Sequence, residues 1–209
     1  DTAANYLTRP PKRSDVLSVF AGLRPLAAPR SEGKKTKEIS RSHKLIREKS
    51  GLITIIGGKW TTYRKMAQDT LDLAVRYMHV PAKDCITERY QIHGSRKNPD
   101  FSDPLYVYGT DADEIRNLVA SSPVMAEKLH PGYAYTVGEV TWLVRNEMPR
   151  PLEDVLARRL RILFLDARAA MAMAPKVAGI LAAEWGKDEA WISAQIKAFN
   201  EVASSYILN

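Results

Sequence analysis

The spacing of apolar residues along the chain changes near residue 90 and divides the sequence into two parts. In the first part, short runs rich in β-branched residues predict strands over residues 16–20, 39–47 and 52–56. Beyond residue 90 the apolar spacing is helical throughout. We therefore expect a mainly α fold: a short N-terminal α/β segment over residues 1–90, with three strands and a long helix, and an all-helical C-terminal domain over residues 91–209.

Capping residues predict where the helices begin. A Ser, Thr or Asp before an apolar repeat can accept a backbone hydrogen bond at the first turn, and Pro suits the first helical position. Thr136 with Glu139 is the best capping box in the chain. The predicted helix starts in the C-terminal part are Asp111 (with Glu114), Ser122, Thr136, Pro151, Pro175 and Asp188.

The segment between the third strand and the first long helix is the most informative about function. Gly57 and Gly58 permit close approach of the backbone to a ligand, and Lys59 adds a positive charge. The helix opens at Thr61 or Thr62, where free N–H groups and the helix dipole favour an anion or an electron-rich ring edge. Capping of the helix alone explains the two threonines equally well.

The positive charge of the chain is concentrated beside this segment. The chain has 31 basic and 24 acidic residues; residues 1–50 hold 12 and 5 of them, which leaves 19 of each elsewhere. Such an excess suits a small anionic substrate, although a solvated basic loop is the alternative. Nucleic-acid binding is disfavoured, because residues 21–50 have no aromatic side chain among the basic ones.

Two arginines are candidate anion ligands. Arg24 precedes a proline at the end of a predicted strand, and a guanidinium there can hold a phosphate or carboxylate through two parallel bonds. A surface ion pair is the other interpretation of Arg24. Arg41 shares one strand face with His43 and Leu45, so it needs either an acidic neighbour or a ligand. His43 by itself is more typical of a structural histidine than of a base.

Several other kinds of site are excluded. The four histidines are scattered and Cys85 is the single cysteine, so neither a metal site nor an internal disulfide is expected. The glycine segment is not a Walker loop, because Ile53 and Trp60 occupy positions where that motif needs Gly and Ser or Thr. No apolar run reaches the roughly 20 residues of a membrane helix.

Five segments of the chain resemble the FAD-dependent glycerol-3-phosphate dehydrogenases and their oxidase relatives. They occur in the family's order, and the sequence from Gly57 to Arg64 is the most specific of them. The resemblance implies the C-terminal part of such an enzyme, without its N-terminal glycine-rich dinucleotide fingerprint. A chain that starts at Asp1 without an initiator Met agrees with that expectation. The matching segments are residues 22–26, 39–43, 50–67, and 153–159 with 165–168.

The resemblance also implies roles for individual residues. Arg24 and, with a weaker match, Arg41 would bind the substrate. The residues expected against the flavin ring of FAD are Gly57, Gly58, Lys59, Thr61 and Thr62. The catalytic base is not identified in this chain.

The implied activity is oxidation of sn-glycerol 3-phosphate to dihydroxyacetone phosphate by hydride transfer to FAD, with electrons passing to a membrane quinone. An oxidase that uses O2 is the alternative within this chemistry. The expected location is cytoplasmic, peripheral to the inner face of a bacterial membrane. The fragment alone is expected to be inactive and to lack FAD. From another class, the helical domain could serve as a dimerisation or membrane-contact module.

Overall fold

The computed structural model describes residues 2–23 and 42–208, which form two compact units. One unit combines Asp1–Ala21 with His93–Asn209, and the other is Gly22–Ile92. The predicted fold class is confirmed, because helices dominate and the described residues contain a single two-stranded sheet. In this described part of the chain, no helix is long and apolar enough to cross a membrane.

The Gly22–Ile92 unit is a hairpin followed by a helix. Strand β1 (His43–Arg47) pairs antiparallel with β2 (Ile53–Gly57), in a register that sets His43 opposite Gly57 and Leu45 opposite Ile55. Helix α1 (Tyr63–Met78) follows and packs on β2. The strand predicted over residues 52–56 is thus confirmed within one residue. The strand predicted over 39–47 is confirmed from His43 onward, and residues 39–41 lie outside the described part.

This unit lacks a dry core of its own among the described residues. The three isoleucines of β2 are only half-buried, and no described residue of the unit is fully buried. The hairpin and α1 meet instead through contacts between charged and aromatic groups: the guanidinium of Arg47 lies 3.4 Å from the ring centroid of Tyr77 on α1. The burial in this unit therefore stabilises less per residue than burial in a closed core.

The other unit is helical. Short 3₁₀ turns lie at Thr2–Asn5, Arg13–Asp15 and Tyr106–Asp111. A π-helical segment, Asp154–Arg159, follows Pro151, and its wider turn includes the bond from the Leu160 amide to the Val155 carbonyl. The α-helices are α2 (Ala112–Ala120), α3 (Val137–Asn146), α4 (Ile162–Leu165), α5 (Ala167–Trp185) and α6 (Glu189–Ser204).

The core of the helical unit forms around α5, which packs against α3, α4, α6 and the π-helix. The side chains that meet there are mainly aliphatic, with two aromatic rings, those of Trp142 in α3 and Phe199 in α6. Their complete burial supplies the hydrophobic stabilisation that the smaller unit lacks. The largest of them are Phe199, Ile115, Leu143, Leu152, Leu156, Ile162, Leu163, Met173 and Leu181.

Two of the predicted caps are confirmed. The Thr136 hydroxyl accepts from the Glu139 amide at 3.2 Å, and Asp188 Oδ1 accepts from the Trp191 amide at 2.9 Å. The helix start at Pro175 is wrong, because Pro175 lies inside α5. The helix after Ser122 is also wrong: residues 123–126 form only turns.

The capping box predicted from Asp111 and Glu114 is wrong as well, because both carboxylates have partners elsewhere in the fold. Asp111 makes no side-chain cap and instead contacts His93 Nε2 at 2.7 Å. Glu114 accepts from the indole N–H of Trp142 at 3.0 Å. The helix itself does begin at Ala112, one residue after the predicted cap.

The strand predicted over residues 16–20 is wrong, although the segment is extended. It pairs with no strand among the described residues and instead bonds to the helical unit: the Val19 amide donates to the Tyr206 carbonyl, just after α6, at 2.8 Å. The Ser18 hydroxyl donates to the Leu163 carbonyl at 2.7 Å. The alternating apolar residues therefore belong to an extended segment that packs on helices. The period-2 pattern alone cannot distinguish such a segment from a strand.

We expect Gly138→Ala to destabilise the protein by about 1–3 kcal/mol, because a Cβ would lie 2.8 Å from Val119 Cγ2 and 3.1 Å from the Met125 carbonyl. Gly179→Ala, in α5, is the matched control: nothing lies within 4 Å of its added Cβ. The control is expected to raise stability by about 0.5–1 kcal/mol. Urea unfolding of both variants tests the packing, and equal effects would contradict the close approach of α3 to Val119.

Candidate functional site at the glycine–helix junction

The junction between β2 and α1 bends sharply at two glycines. Gly57 and Gly58 have φ values of +75° and +84°, a region that L side chains rarely adopt. A 3₁₀ turn, Trp60–Thr62, then leads directly into α1. The predicted order of strand, double glycine and helix is therefore confirmed, and the α-helix itself begins at Tyr63.

Internal packing accounts for the glycine at position 58. A Cβ there would lie 2.5 Å from the Met66 sulfur and 3.3 Å from His43 Cβ. Met66 and His43 thus lie directly against the backbone of the bend.

The two threonines of the turn differ in their hydrogen bonds. The Thr62 hydroxyl accepts from the Lys59 amide at 3.3 Å and donates to the Lys59 carbonyl at 2.9 Å. The Thr62 amide also donates to that carbonyl, at 3.0 Å. Thr61 donates to no residue in the described part of the chain, and its side chain is exposed. Thr62 therefore holds the turn together, while Thr61 is available to a ligand.

The charges at the start of α1 are positive. The first turn of α1 has no acidic residue, although acids stabilise a helix N-terminus. It carries Arg64 and Lys65, and the exposed Lys59 stands just before it. Arg64 Nη1 bonds Gln68 at 2.9 Å and Thr87 at 3.1 Å, and its Nη2 lies 3.6 Å from Glu88 Oε1, so the charge of Arg64 already has a partner. Lys59 and the helix dipole thus present a local positive potential.

His43 takes part in a small charged cluster beneath the junction. Its Nε2 lies 3.0 Å from Asp69 Oδ2, and Lys65 Nζ lies 2.8 Å from Asp69 Oδ1. The bond from Lys65, opposed by desolvation and aided by His43, holds the pKa of Asp69 below its usual range. This geometry agrees with a structural His43 that ties β1 to α1.

The predicted site residues are placed as follows. The five residues assigned to the cofactor form one continuous surface segment, half-buried at the glycines and exposed from Lys59 to Thr62. Arg24 and Arg41 lie outside the described residues. The binding roles of all seven stay predictions.

A buried acid in the helical unit escaped the sequence analysis. Glu139 is only 4% exposed and accepts from the Tyr108 hydroxyl at 2.7 Å. Burial raises the pKa of Glu139, while hydrogen bonds from Tyr108 and the Thr136 backbone oppose the rise. In the sequence, Glu139 is recognisable only as part of the capping box with Thr136, because its partner Tyr108 lies 31 residues away in the chain.

Comparison with known proteins identifies the class. Residues 52–192, which begin just before β2 and end in α6, match the family model described as the C-terminal domain of alpha-glycerophosphate oxidase. The chain belongs to this family.

The individual relatives are glycerol-3-phosphate dehydrogenases. A mitochondrial enzyme of Arabidopsis thaliana is 33% identical over 90% of this chain and 35% of its own length. A probable mitochondrial enzyme of Caenorhabditis elegans is 35% identical over 94% of the chain, and that of Mesocricetus auratus is 30% identical over 94%. The chain spans about a third of the length of these curated relatives.

Thr62→Val is expected to loosen the turn, because it removes the hydroxyl that both accepts from and donates to Lys59. Loss of these hydrogen bonds is expected to lower the local stability of the turn by about 1 kcal/mol. That loss corresponds to roughly fivefold faster hydrogen exchange of the Lys59 amide. Thr61→Val, an isosteric change at a hydroxyl that donates to nothing described, serves as control. If both variants accelerate exchange equally, the division of roles between the threonines is wrong.

Glu139→Gln is expected to change the pH dependence of stability. The folded pKa of Glu139 is raised, so the folded chain binds more protons than the unfolded chain between the two pKa values. The wild type is therefore most stable, relative to the variant, below the unfolded value of about 4.3. It loses that advantage as pH rises through the folded pKa, by at most about 1.4 kcal/mol per pH unit.

Denaturant midpoints measured from pH 4 to 8 test this dependence on Glu139. Glu201→Gln removes an exposed carboxylate of α6 and is the control. If the denaturant midpoints of the wild type and Glu139→Gln change with pH in parallel, the buried carboxyl keeps an ordinary pKa.

Proposed function

We propose that this chain is the C-terminal part of a flavoenzyme that oxidises sn-glycerol 3-phosphate to dihydroxyacetone phosphate. The observation that carries the proposal is the 30–35% identity to glycerol-3-phosphate dehydrogenases over 90–94% of the chain. That alignment covers both the junction and the helical unit. The relatives are about three times longer, so the activity belongs to a longer protein of which this chain is one part.

FAD is the cofactor that the family implies, and the junction fits one edge of its ring. Lys59 is exposed beside the N-terminus of α1, Thr61 donates to no described residue, and no acid in the first turn opposes an anion. When bound, FAD would supply the hydride acceptor for the substrate's C2. Lys59 and Thr61, with Gly57, Gly58 and Thr62 as the frame of the bend, would stabilise negative charge at the ring edge.

Arg24 and Arg41 are the proposed substrate residues. Glycerol 3-phosphate is a small dianion, and a planar guanidinium matches the oxygens of a phosphate in a bidentate manner. The concentration of basic residues in the first 50 positions supports a site for such a substrate. Neither arginine is identified as the base that takes the hydroxyl proton.

A membrane quinone is the proposed electron acceptor, because the relatives are named as dehydrogenases. Oxygen is the second candidate, favoured by the description of the family model as that of an oxidase. The quinone pathway requires peripheral contact with a membrane, which we place at the cytoplasmic face in a bacterial host. A homodimer is compatible with this arrangement.

The decisive test adds glycerol 3-phosphate anaerobically to the full-length protein and follows the visible absorption band of the flavin. We expect bleaching in the wild type. Arg24→Ala should need at least about tenfold more substrate, because the phosphate would lose the guanidinium that we propose binds it in a bidentate manner. Lys59→Met should bleach about 10²-fold more slowly, the typical effect of removing one group that stabilises developing charge.

Lys197→Met is the matched control, since Lys197 is exposed on α6 of the helical unit. Absence of bleaching in the wild type would contradict the substrate assignment, and equal rates in the two lysine variants would contradict the role of Lys59. Reoxidation of the bleached protein by a short-chain quinone but not by air would support the dehydrogenase over the oxidase. The 209-residue chain alone is expected to show neither the flavin band nor turnover.

A further inference from the structure

We propose that the helical unit contains a second ligand site, which binds a small anion with an apolar body such as an aromatic ring. The site is a pocket of about 510 Å³ between the Tyr106–Asp111 turn, α3 and the segment from Arg159 to Leu165. That volume lies in the range of about 300–1,000 Å³ that small-molecule sites occupy. The inference is independent of the proposed oxidation, because it concerns only residues of the helical unit.

The walls of the pocket are aromatic and held in place. The Tyr108 hydroxyl donates to Glu139 Oε1 at 2.7 Å, and the Tyr135 hydroxyl donates to the Leu160 carbonyl at 3.0 Å. Phe164 packs edge-on against Phe20, with ring centroids 5.0 Å apart. Because the tyrosine hydroxyls already have acceptors, these rings offer a ligand mainly apolar surface.

The rim of the pocket is apolar as well. Val107 is 64% exposed and Leu165 is 57% exposed, and both line the cavity. Exposed aliphatic side chains beside half-buried rings offer an apolar surface that a ligand with an apolar body can cover. A purely ionic ligand such as inorganic phosphate would leave this surface uncovered.

Three charged side chains line the pocket: Arg159, Arg161 and Glu139, whose carboxylate already accepts from Tyr108. Of the two arginines, one is paired. Arg159 donates to the Glu147 carbonyl at 2.6 Å and lies 3.5 Å from the Glu147 carboxylate. The Arg161 guanidinium has no acidic or hydrogen-bonding partner in the described part of the chain. Burial raises the pKa of the Tyr135 phenol, the Glu139 carboxylate adds to the rise, and the charge of Arg161 opposes it.

The backbone at Arg161 adds a second indication. Its φ of +60° and ψ of +13° lie in the left-handed region, which a residue with a Cβ adopts at a cost of about 1 kcal/mol. Glycine would relieve this strain, yet the chain places an arginine there between the π-helix and α4. Strained backbone conformations concentrate at ligand sites, and an unpaired guanidinium beside an aromatic pocket can bind an anion.

The test titrates phenyl phosphate into the 209-residue chain and measures binding by calorimetry and by amide shifts of the lining residues. Inorganic phosphate and benzyl alcohol, which carry only the charge or only the ring, are each expected to bind at least about tenfold more weakly than phenyl phosphate. No flavin or glycerol 3-phosphate is present, so failure of the proposed oxidation would leave this result unaffected.

Arg161→Gly removes the cation while relieving the left-handed strain, so the variant is expected to fold. It should weaken phenyl phosphate binding at least about tenfold, whereas Arg161→Lys, which keeps the charge, should stay within roughly threefold of the wild type. Arg168→Ala, at an exposed position of α5 away from the pocket lining, should have no effect. Undiminished binding in Arg161→Gly, or inorganic phosphate binding as tightly as phenyl phosphate, would overturn the proposal.

Discussion

The burial of α5 is the constraint on which the helical unit depends. Nine of its 19 residues are buried, and six of those nine are alanines, so neighbouring helices can approach its axis closely. Close packing explains why Pro175 is tolerated in the helix interior, where a missing N–H and a steric clash cost about 3 kcal/mol. Contacts with α3, α4 and α6 outweigh that cost, and a helix start predicted from Pro175 alone could not take them into account.

Elements defined by neighbouring residues were predictable from the sequence. Thr136 and Asp188 cap helices through bonds that reach only three residues along the chain, and the strand–glycine–helix order is equally local. Predictions failed where a distant partner competed for the same group. Asp111 turns to His93, and the extended segment around Val19 bonds to Tyr206 at the opposite end of the sequence. Local propensity carries no information about such partners.

The aromatic pocket shows the same limit for a candidate site. Its lining comes from segments that no single motif connects, with Tyr108, Tyr135 and Phe164 brought together only by the packing of the helical unit. The left-handed Arg161 is equally invisible in the sequence, since arginine has no preference for that conformation. The junction could be found because one continuous segment contains it, whereas the pocket required the tertiary structure.

The start of α1 combines features that are unfavourable for an isolated helix. Gly57 and Gly58 add conformational entropy to the unfolded chain, and positive residues at the first turn oppose the helix dipole instead of compensating it. Part of this cost is offset locally, because Asp69 neutralises Lys65 one turn later. Lys59 and the exposed Thr61 have no such compensation among the described residues. A bound group with negative charge would offset the uncompensated positive charge. The residues of this segment therefore favour anion binding at the expense of helix stability.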